Sequence, residues 1–480
     1  MMNVNWIKLF RMSVLAAALQ MMLLHSAQAG GMTIGDLGAH AEGRSGAFAA
    51  KADDLSAIEY NPSGLTSIGS TQIYLSNRFG YAVEEFSRQT ATNTVGDEIL
   101  FDSVANEHPW QLLDPMVGVA SNFGLDNWAF ALGTYAPPGI ATQQFPEDGG
   151  QRFMLIDRDV KILYYDLSVA WKFRDFFGIG ASLQWVDAAS IKLSLIVNGN
   201  TSDNNQPDGG TLDMLTTVTG ADHVGFSGII GAWIKPLPFL HLAVSGRIAP
   251  TIIEADCKID VDVVHDDIIS DNNMTITRNG SPADDITLSM KLPPMARLGV
   301  RYVRMKGKQE LFDVELDVTY EAWHVMDRYT LDGKGLEVDI DGVGGSIDPI
   351  PIDKIYLDKQ WIDTFSVRLG GDYNLLDNHL TLRAGAFFES GADNSPYSYV
   401  DFFASHRIGG SVGTSVKFFG VDISLSYAFL YEIPFSVFEE EGKVYQQVPA
   451  RTSTELGPVV NAGDYSSHYH FGTVSVSYTF

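Results

Sequence analysis

The segment Leu311–Ala322 constrains the fold more than any other stretch, because from Phe312 onward its side chains alternate between apolar and polar. The apolar set is Phe312, Val314, Leu316, Val318 and Tyr320, and the polar set is Asp313, Glu315, Asp317, Thr319 and Glu321. A period of two residues is that of a β-strand, and it places the two sets on opposite faces. The segment therefore predicts a strand between an apolar and a polar environment.

About fourteen segments of this kind follow one another after residue 71, which is the even strand number typical of bacterial barrels. We predict that they begin near Thr71, Gln111, Asn127, Asp159, Phe176, Ala221, Phe239, Ile286, Gln309, Asp353, Asn378, Ser405, Val421 and Ser466. Tight connections such as Arg174-Asp175 alternate with long polar ones such as 190–220. Short periplasmic turns and long outer loops give this alternation in outer-membrane proteins.

The fold class that follows is all-β: a transmembrane antiparallel β-barrel of about 14 strands, because an even number lets the last strand pair with the first and leaves no edge in lipid. A soluble sandwich or propeller is the alternative. Trp171 and Trp185 lie near strand ends, where aromatic side chains form the belts at membrane interfaces, and this favours the barrel.

Both ends of the chain carry signals of export and assembly. Lys8 and Arg11 precede the apolar run Met12–Leu24, and a small-residue cleavage site follows, so residues 1–29 are predicted to be a secretory signal peptide. At the other end Val476, Tyr478 and the terminal Phe480 share one strand face. This pattern resembles the signal that the barrel-assembly machinery reads, so that machinery is an expected partner.

Residues 30–70 differ from the remainder, since they are rich in Gly, Ala and Ser and have no long apolar run. Asn61-Pro62-Ser63-Gly64 ends any helix that begins near Asp53. We predict that this segment is a hatch, or plug, inside a barrel formed by residues 71–480. A plain periplasmic extension at the N-terminus is the alternative.

Charge and catalytic patterns exclude several functions. The net charge of -27 argues against nucleic acid as a partner. Gly43–Ala47 lacks the last glycine of a nucleophile elbow, which weakens the alternative of an outer-membrane lipase. His468 and His470 share a strand face, but a metal site needs a third ligand. We therefore expect no enzyme activity, no cofactor and no metal.

Four segments carry a resemblance to a known family. They are ADDLSAIEYNPSGL at 52–65, TYAPPGI at 134–140, KLPPMARLGV at 291–300 and DTFSVRLGGDYNLLDNHLTLRAGA at 363–386. The chain resembles the long-chain fatty-acid transporter family of outer-membrane proteins (FadL/TodX-like) over essentially its whole mature length. Ser63 stands where the family usually has Ala.

The resemblance implies a fourteen-stranded barrel in the bacterial outer membrane with an N-terminal hatch. It also implies that a hydrophobic ligand enters from outside through a groove among the loops and reaches a pocket in the lumen beside the hatch. The ligand would then leave sideways at a kinked third strand. Transport would be passive, and a monomer in contact with outer-membrane lipid and lipopolysaccharide is expected.

Two sets of residues are candidates for the ligand path. Pro137, Pro138 and Gly139 end the third strand, where missing donors leave pairing incomplete, so they are lateral-gate candidates. The alternative is that the prolines only begin a loop. Apolar loop residues often mark binding, and the groove candidates are Phe153, Leu155, Leu195 and Val197. Packing of these four against one another is the alternative.

Four arginines on the predicted lumen face are head-group candidates: Arg297, Arg301, Arg368 and Arg383. Pairing with the acidic residues of Leu311–Ala322 would hold the hatch, and we favour this structural role over binding of a ligand carboxylate. Two alternatives to fatty-acid transport stay open. An aromatic-hydrocarbon channel would need a pocket without a head-group cation, and a general porin would conduct ions.

Overall fold

The computed structural model describes residues 30–93, 96–139, 141–198, 213–264, 274–340, 349–447 and 457–480. The predicted signal peptide, 1–29, lies outside these residues, and so do parts of the long loops. Within the described ranges no helix combines the length and the apolar character needed to cross a membrane.

Fourteen antiparallel strands of the described chain close into a barrel. They are β1 Gln72–Arg88, β2 Trp110–Ser121, β3 Trp128–Tyr135, β4 Asp157–Phe173, β5 Phe177–Asn198, β6 Asp213–Leu237, β7 Leu240–Arg247, β8 Met295–Lys306, β9 Gln309–Glu321, β10 Thr364–Leu375, β11 Leu380–Glu389, β12 Arg407–Phe418, β13 Val421–Val437 and β14 Gly463–Thr479. The ring closes where β14 pairs with β1, from Gln72 opposite Thr479 to Arg88 opposite Gly463. The predicted fold class is confirmed.

Side-chain exposure follows the alternation in the sequence. On β9, Val314 and Leu316 are each 44% exposed, whereas Asp313 and Glu315 are buried. An exposed apolar face and a buried charged face are the reverse of a soluble protein, and they suit a barrel surrounded by lipid. On the last strand Val476, Tyr478 and Phe480 also point outward. Recognition of these three residues by the barrel-assembly machinery stays a prediction.

Four further strands extend the barrel sheet beyond one rim, on the side of the long connections, and we call this extension the second sheet. Its main strands are Thr251–Val263, Asp285–Leu292, Arg328–Ile340 and Ile350–Asp358, and β6 joins it through pairing with Thr251–Val263. Of the shorter strands, Met274–Arg278 and Ser281–Pro282 join this extension. Val104–Ala105 pairs with β1, Thr142–Gln144 pairs with β4, and Ala91–Thr92 and Glu98–Ile99 form a separate two-stranded sheet. The 3-10 turns Trp323–Val325 and Ser395–Tyr397 follow β9 and β11 along the chain.

Two predicted strand positions are wrong because of this sheet. The segments expected to begin near Ile286 and Asp353 belong to the second sheet, and the corresponding barrel strands begin at Met295 and Thr364. Pro293-Pro294 separates the first pair of strands, since proline supplies no ladder donor. A strand that covers an apolar loop core alternates like one that faces lipid, so the pattern alone does not distinguish them.

The residues before β1 lie inside the ring and are almost all buried. They form the short helices α1 Ala39–Glu42 and α2 Ala57–Tyr60, followed by the 3-10 turn Pro62–Ser67. The Asn61 side chain begins this turn by accepting a hydrogen bond from the Ser63 N–H at 3.2 Å. We call residues 30–70 the hatch, and its gating role stays a proposal.

Candidate ligand cavity and lateral window

The hatch is fixed to one side of the barrel by buried ion pairs. Arg44 is fully buried and contacts Asp313 at 2.7 Å, Glu315 at 2.9 Å and Asp372 at 2.5 Å. Lys51 adds a contact with Asp313 at 2.9 Å. The acceptors lie on β9 and β10, so a cation of the hatch, which sequence reasoning did not single out, neutralises much of the acidic ladder.

Three of the four predicted lumen arginines pair with carboxylates of the barrel or of the hatch. Arg301 lies 2.8 Å from Asp313, and Arg383 lies 3.4 Å from Asp372, so both pair with barrel carboxylates. Arg368 contacts the hatch residue Asp36 at 3.1 Å. Their surroundings fit the holding role that the sequence favoured, and a role in binding a ligand head group stays a prediction.

β3 is interrupted at the predicted lateral-gate residues. The strand ends at Tyr135, and regular pairing resumes only at Thr142–Gln144. Pro137, Pro138 and Gly139 lie in the interruption. Proline has no N–H to donate, so the ladder to the neighbouring strands is missing here. We call this opening between β2 and β4 the lateral window.

Specific hydrogen bonds lie at the two edges of the lateral window and limit its extent. At one edge the Ala136 N–H donates to the Pro115 carbonyl at 3.1 Å. At the other, the Gln111 side-chain oxygen accepts from the N–H groups of Ala141 and Thr142, each at 3.2 Å. A side chain of β2 thus replaces ladder bonds that the backbone does not make. Nothing in the sequence pattern marked Gln111 for this position.

A cavity of about 400 Å³ extends from the hatch to the lateral window. This volume lies in the range of small-molecule sites, and the wall is mainly apolar. Its apolar members include Met32, Pro115, Ala136, Val160, Ile162, Leu292, Met295, Trp323 and Phe402. Leu112 also lines the cavity, and 67% of its surface is exposed on the lipid side of β2. The cavity therefore reaches the outer surface of the barrel.

The polar part of the cavity is built around Glu59 of the hatch. Arg297 contacts its carboxylate at 3.1 Å, Arg247 contacts it at 3.3 Å, and the Tyr135 hydroxyl donates to it at 2.6 Å. Burial raises the pKa of Glu59, but the two guanidinium groups outweigh burial and hold the pKa below its usual range. Arg297 alone among the four predicted arginines lines this cavity.

Arg247 and Glu59 were missed by sequence reasoning. Glu59 lies two residues before the Asn61-Pro62 motif, and Arg247 is the last residue of β7. Their spacing carries no signal, because the contact joins positions 188 residues apart. Only the enclosure of the hatch by the barrel brings them together.

The four groove candidates do not form one open groove. Phe153 and Leu155 are buried in a large apolar cluster that spans the loop region. Leu195 and Val197 line a separate apolar cleft of about 20 Å³. This cleft is far smaller than typical small-molecule sites. Capture of ligand by these residues stays a prediction.

Comparison with known proteins agrees with this geometry. The model of a family described as outer membrane protein transport protein (OMPP1/FadL/TodX) matches residues 21–455. No curated protein sequence is significantly similar to the chain.

Solved structures share the fold at low sequence identity. A Pseudomonas aeruginosa FadL homologue is 16% identical, with a TM-score of 0.72 over 95% of this chain and 100% of its own. The P. putida toluene transporter TodX is 15% identical, with a TM-score of 0.60 over 94% and 99%. The Ralstonia pickettii toluene transporter TbuX is 14% identical, with a TM-score of 0.58 over 94% and 99%. The chain therefore belongs to the OMPP1/FadL/TodX family and is a β-barrel transporter of hydrophobic compounds in the bacterial outer membrane.

Proposed function

We propose that this transporter releases its ligand sideways, from the lumen cavity through the lateral window into the membrane. The observation that carries this proposal is the continuity of one apolar cavity from Glu59 of the hatch to the lipid-facing Leu112. The free energy of an apolar molecule falls when it passes from the outer water through this cavity into lipid, so diffusion needs no cofactor. Pro137, Pro138 and Gly139 keep the exit open because they do not complete the ladder.

The hatch closes the aqueous path in this mechanism. Its side chains fill the lumen beside β9 and β10, where Arg44 is fully buried. A general porin needs an open polar lumen, so this filling favours hatch-gated diffusion over the porin alternative. Lipid and lipopolysaccharide around the lateral window would receive the ligand, and the barrel-assembly machinery remains the proposed reader of the last strand.

Long-chain fatty acids and aromatic hydrocarbons both stay compatible with this path. Two of the solved relatives are described as toluene transporters, and another as a FadL homologue. The cavity volume of about 400 Å³ lies within the usual range of small-molecule sites, so it does not separate the two ligand classes. The charges of the cavity distinguish the two classes better than its size does.

Filling the lateral window tests the exit route. Ala136 lines the cavity at the window edge, so Ala136→Trp should block it and slow uptake of radiolabelled dodecan-1-ol by at least about tenfold, equivalent to about 1.4 kcal/mol in the barrier. Leu132→Trp is the matched control, because Leu132 lies on β3 just before the lateral window and faces lipid with 61% exposure. Equal uptake by Ala136→Trp and Leu132→Trp would contradict lateral release.

A further inference from the structure

A second, smaller cavity of about 50 Å³ adjoins the ligand cavity on the hatch side. Glu59, Arg297 and Glu321 line both cavities, so we call the smaller one the polar recess. Its other charged members are Asp36, Arg368 and Glu389. The polar recess is where the head group of a ligand with an apolar tail in the larger cavity would lie.

The cations that line the two cavities are already paired. Arg247 and Arg297 both contact Glu59, as described above. Arg368 contacts Glu389 at 2.6 Å in addition to Asp36. At the rim, Lys161 contacts Asp159 at 2.7 Å. Among the described residues, no lining Lys or Arg is therefore left without a carboxylate partner.

A ligand carboxylate would have to compete with these internal partners. Displacing Glu59 from Arg297, for example, would leave a buried carboxylate with fewer cations. Removing one member of a buried ion pair is costly, because the remaining charge keeps its desolvation penalty. The charge balance of the cavity thus opposes a fatty-acid anion.

Glu321 differs from the other carboxylates of the cavity. Asp36, Glu59 and Glu389 each contact an arginine, and so does Asp114, which contacts Arg78. Glu321 has no Lys or Arg within salt-bridge distance in the described part of the chain. One of its oxygens accepts a hydrogen bond from the Trp323 indole N–H at 2.7 Å.

The second oxygen of Glu321 is an available acceptor, since no described residue donates a hydrogen bond to it. Glu321 is the last residue of β9, and it lines both the apolar cavity and the polar recess. An acceptor at this junction matches a ligand whose apolar body lies in the cavity and whose head group carries an O–H. Hydrogen bonds to a charged acceptor are stronger than neutral ones.

We infer that the cavity selects hydrophobic compounds with an uncharged, hydrogen-bond-donating head group, such as a long-chain alcohol, and that Glu321 is the acceptor that orients them. This inference rests on the proposed function, because it takes the cavity to be the ligand site. It separates the candidate ligands by charge: a hydroxyl group is favoured, and a carboxylate is disfavoured.

The test compares two probes of equal chain length, dodecan-1-ol and dodecanoate, on the full-length protein in one detergent at pH 8. Titration calorimetry gives the affinity of each probe for the wild type and for Glu321→Gln. Each probe partitions equally into micelles with either protein, so the ratio between the two proteins reports the site. Glu254→Gln, on the exposed face of a strand of the second sheet, is the matched control.

We expect Glu321→Gln to bind dodecanoate about tenfold more tightly than the wild type and dodecan-1-ol more weakly, with Glu254→Gln unchanged. Unchanged or weaker dodecanoate binding by Glu321→Gln would overturn the inference while leaving the proposed function intact. If neither probe binds the wild type, the proposed function fails together with the inference. A denaturation temperature of Glu321→Gln equal to that of the wild type would show that the variant barrel is folded.

Discussion

The hatch meets two different walls of the same barrel. In the anchored wall, β9–β12, strands β9 and β10 hold it by ion pairs around the fully buried Arg44. On β12 the Ser411 hydroxyl oxygen accepts a hydrogen bond from the Ser45 N–H at 2.9 Å. The window wall, β2–β4, touches it mainly through apolar side chains such as Met116, Ala131 and Tyr164, and an interruption of β3 opens beside it. Charge therefore fixes the hatch on one side, while the opposite side keeps an apolar path to lipid.

This difference shows how one barrel combines a tight seal with an exit. Buried ion pairs are geometrically demanding, so they hold a segment in one position. Apolar contacts are non-directional and allow a ligand to replace them. Four variants test the contrast between the two walls, and removal of the anchor has the largest expected effect.

Arg44→Leu should remove the anchor. Asp313, Glu315 and Asp372 would lose a shared partner, and loss of one side of a buried ion pair costs about 3–5 kcal/mol. Hydrogen exchange of the hatch amides measures this loss as a lower opening free energy. Arg328→Leu is the control, because its pair with Asp358 is exposed and is worth at most about 1 kcal/mol. Equal protection of the hatch in both variants would show that the ion pairs are not an anchor.

Gly385→Ala tests the close approach of the anchored wall to the hatch. A Cβ at Gly385 would lie 2.3 Å from the Arg44 carbonyl carbon, so the hatch must shift, at a cost of about 1–3 kcal/mol. Gly410 is the matched control on the next strand. The nearest atom to a Cβ at that site is 3.4 Å away, so Gly410→Ala should change stability by no more than about 0.5 kcal/mol. Added protease should cleave the hatch faster in Gly385→Ala than in Gly410→Ala. The reverse order would contradict the described packing.

Replacing Pro137 and Pro138 by Val should make the window wall more like the anchored wall. Valine restores two N–H donors, which allows β3 to continue toward Thr142 and narrows the lateral window. We expect uptake of dodecan-1-ol to fall by about tenfold, or about 1.4 kcal/mol in the barrier. Pro434→Val on β13 controls for the loss of proline from a barrel strand. Normal uptake by the double variant would show that the two prolines do not keep the exit open.

The smallest expected effect concerns His40 in α1. Burial and Arg383 lower the pKa of His40, but Asp422, Asp53 and Asp54 outweigh them and raise it. A raised pKa in the folded state means that charged His40 stabilises the hatch below its unfolded pKa and that this contribution is lost as pH rises through the folded pKa. Wild-type hatch protection should therefore decline between mildly acid and alkaline pH, and His40→Gln should flatten this dependence. An identical pH profile in both proteins would assign the decline to other groups.

The sequence predicted the barrel because its strands repeat a local signal. Alternation along Leu311–Ala322 defines both faces of β9 without any knowledge of its neighbours. The same signal failed at Ile286 and Asp353, where alternating strands leave the barrel for the second sheet. Local periodicity fixes the face of a side chain but not the layer against which that face packs.

The site was less predictable for a related reason. Pro137 and Pro138 were identified because missing donors are a property of the residues themselves. Glu59, Arg247 and Glu321 share no motif, and their common cavity exists only once the barrel encloses the hatch. Gln111 likewise became informative only when its side chain was seen to bridge the end of the lateral window.

The pairing of β14 with β1 has a consequence for the order of assembly. The seam of the ring joins the first strand to the last, and the hatch directly precedes the first strand. The barrel can therefore enclose the hatch completely only after β14 has paired with β1. A chain that lacks β14 would leave the ring open between β13 and β1. The lumen and its ligand path would then be exposed along the whole length of that gap.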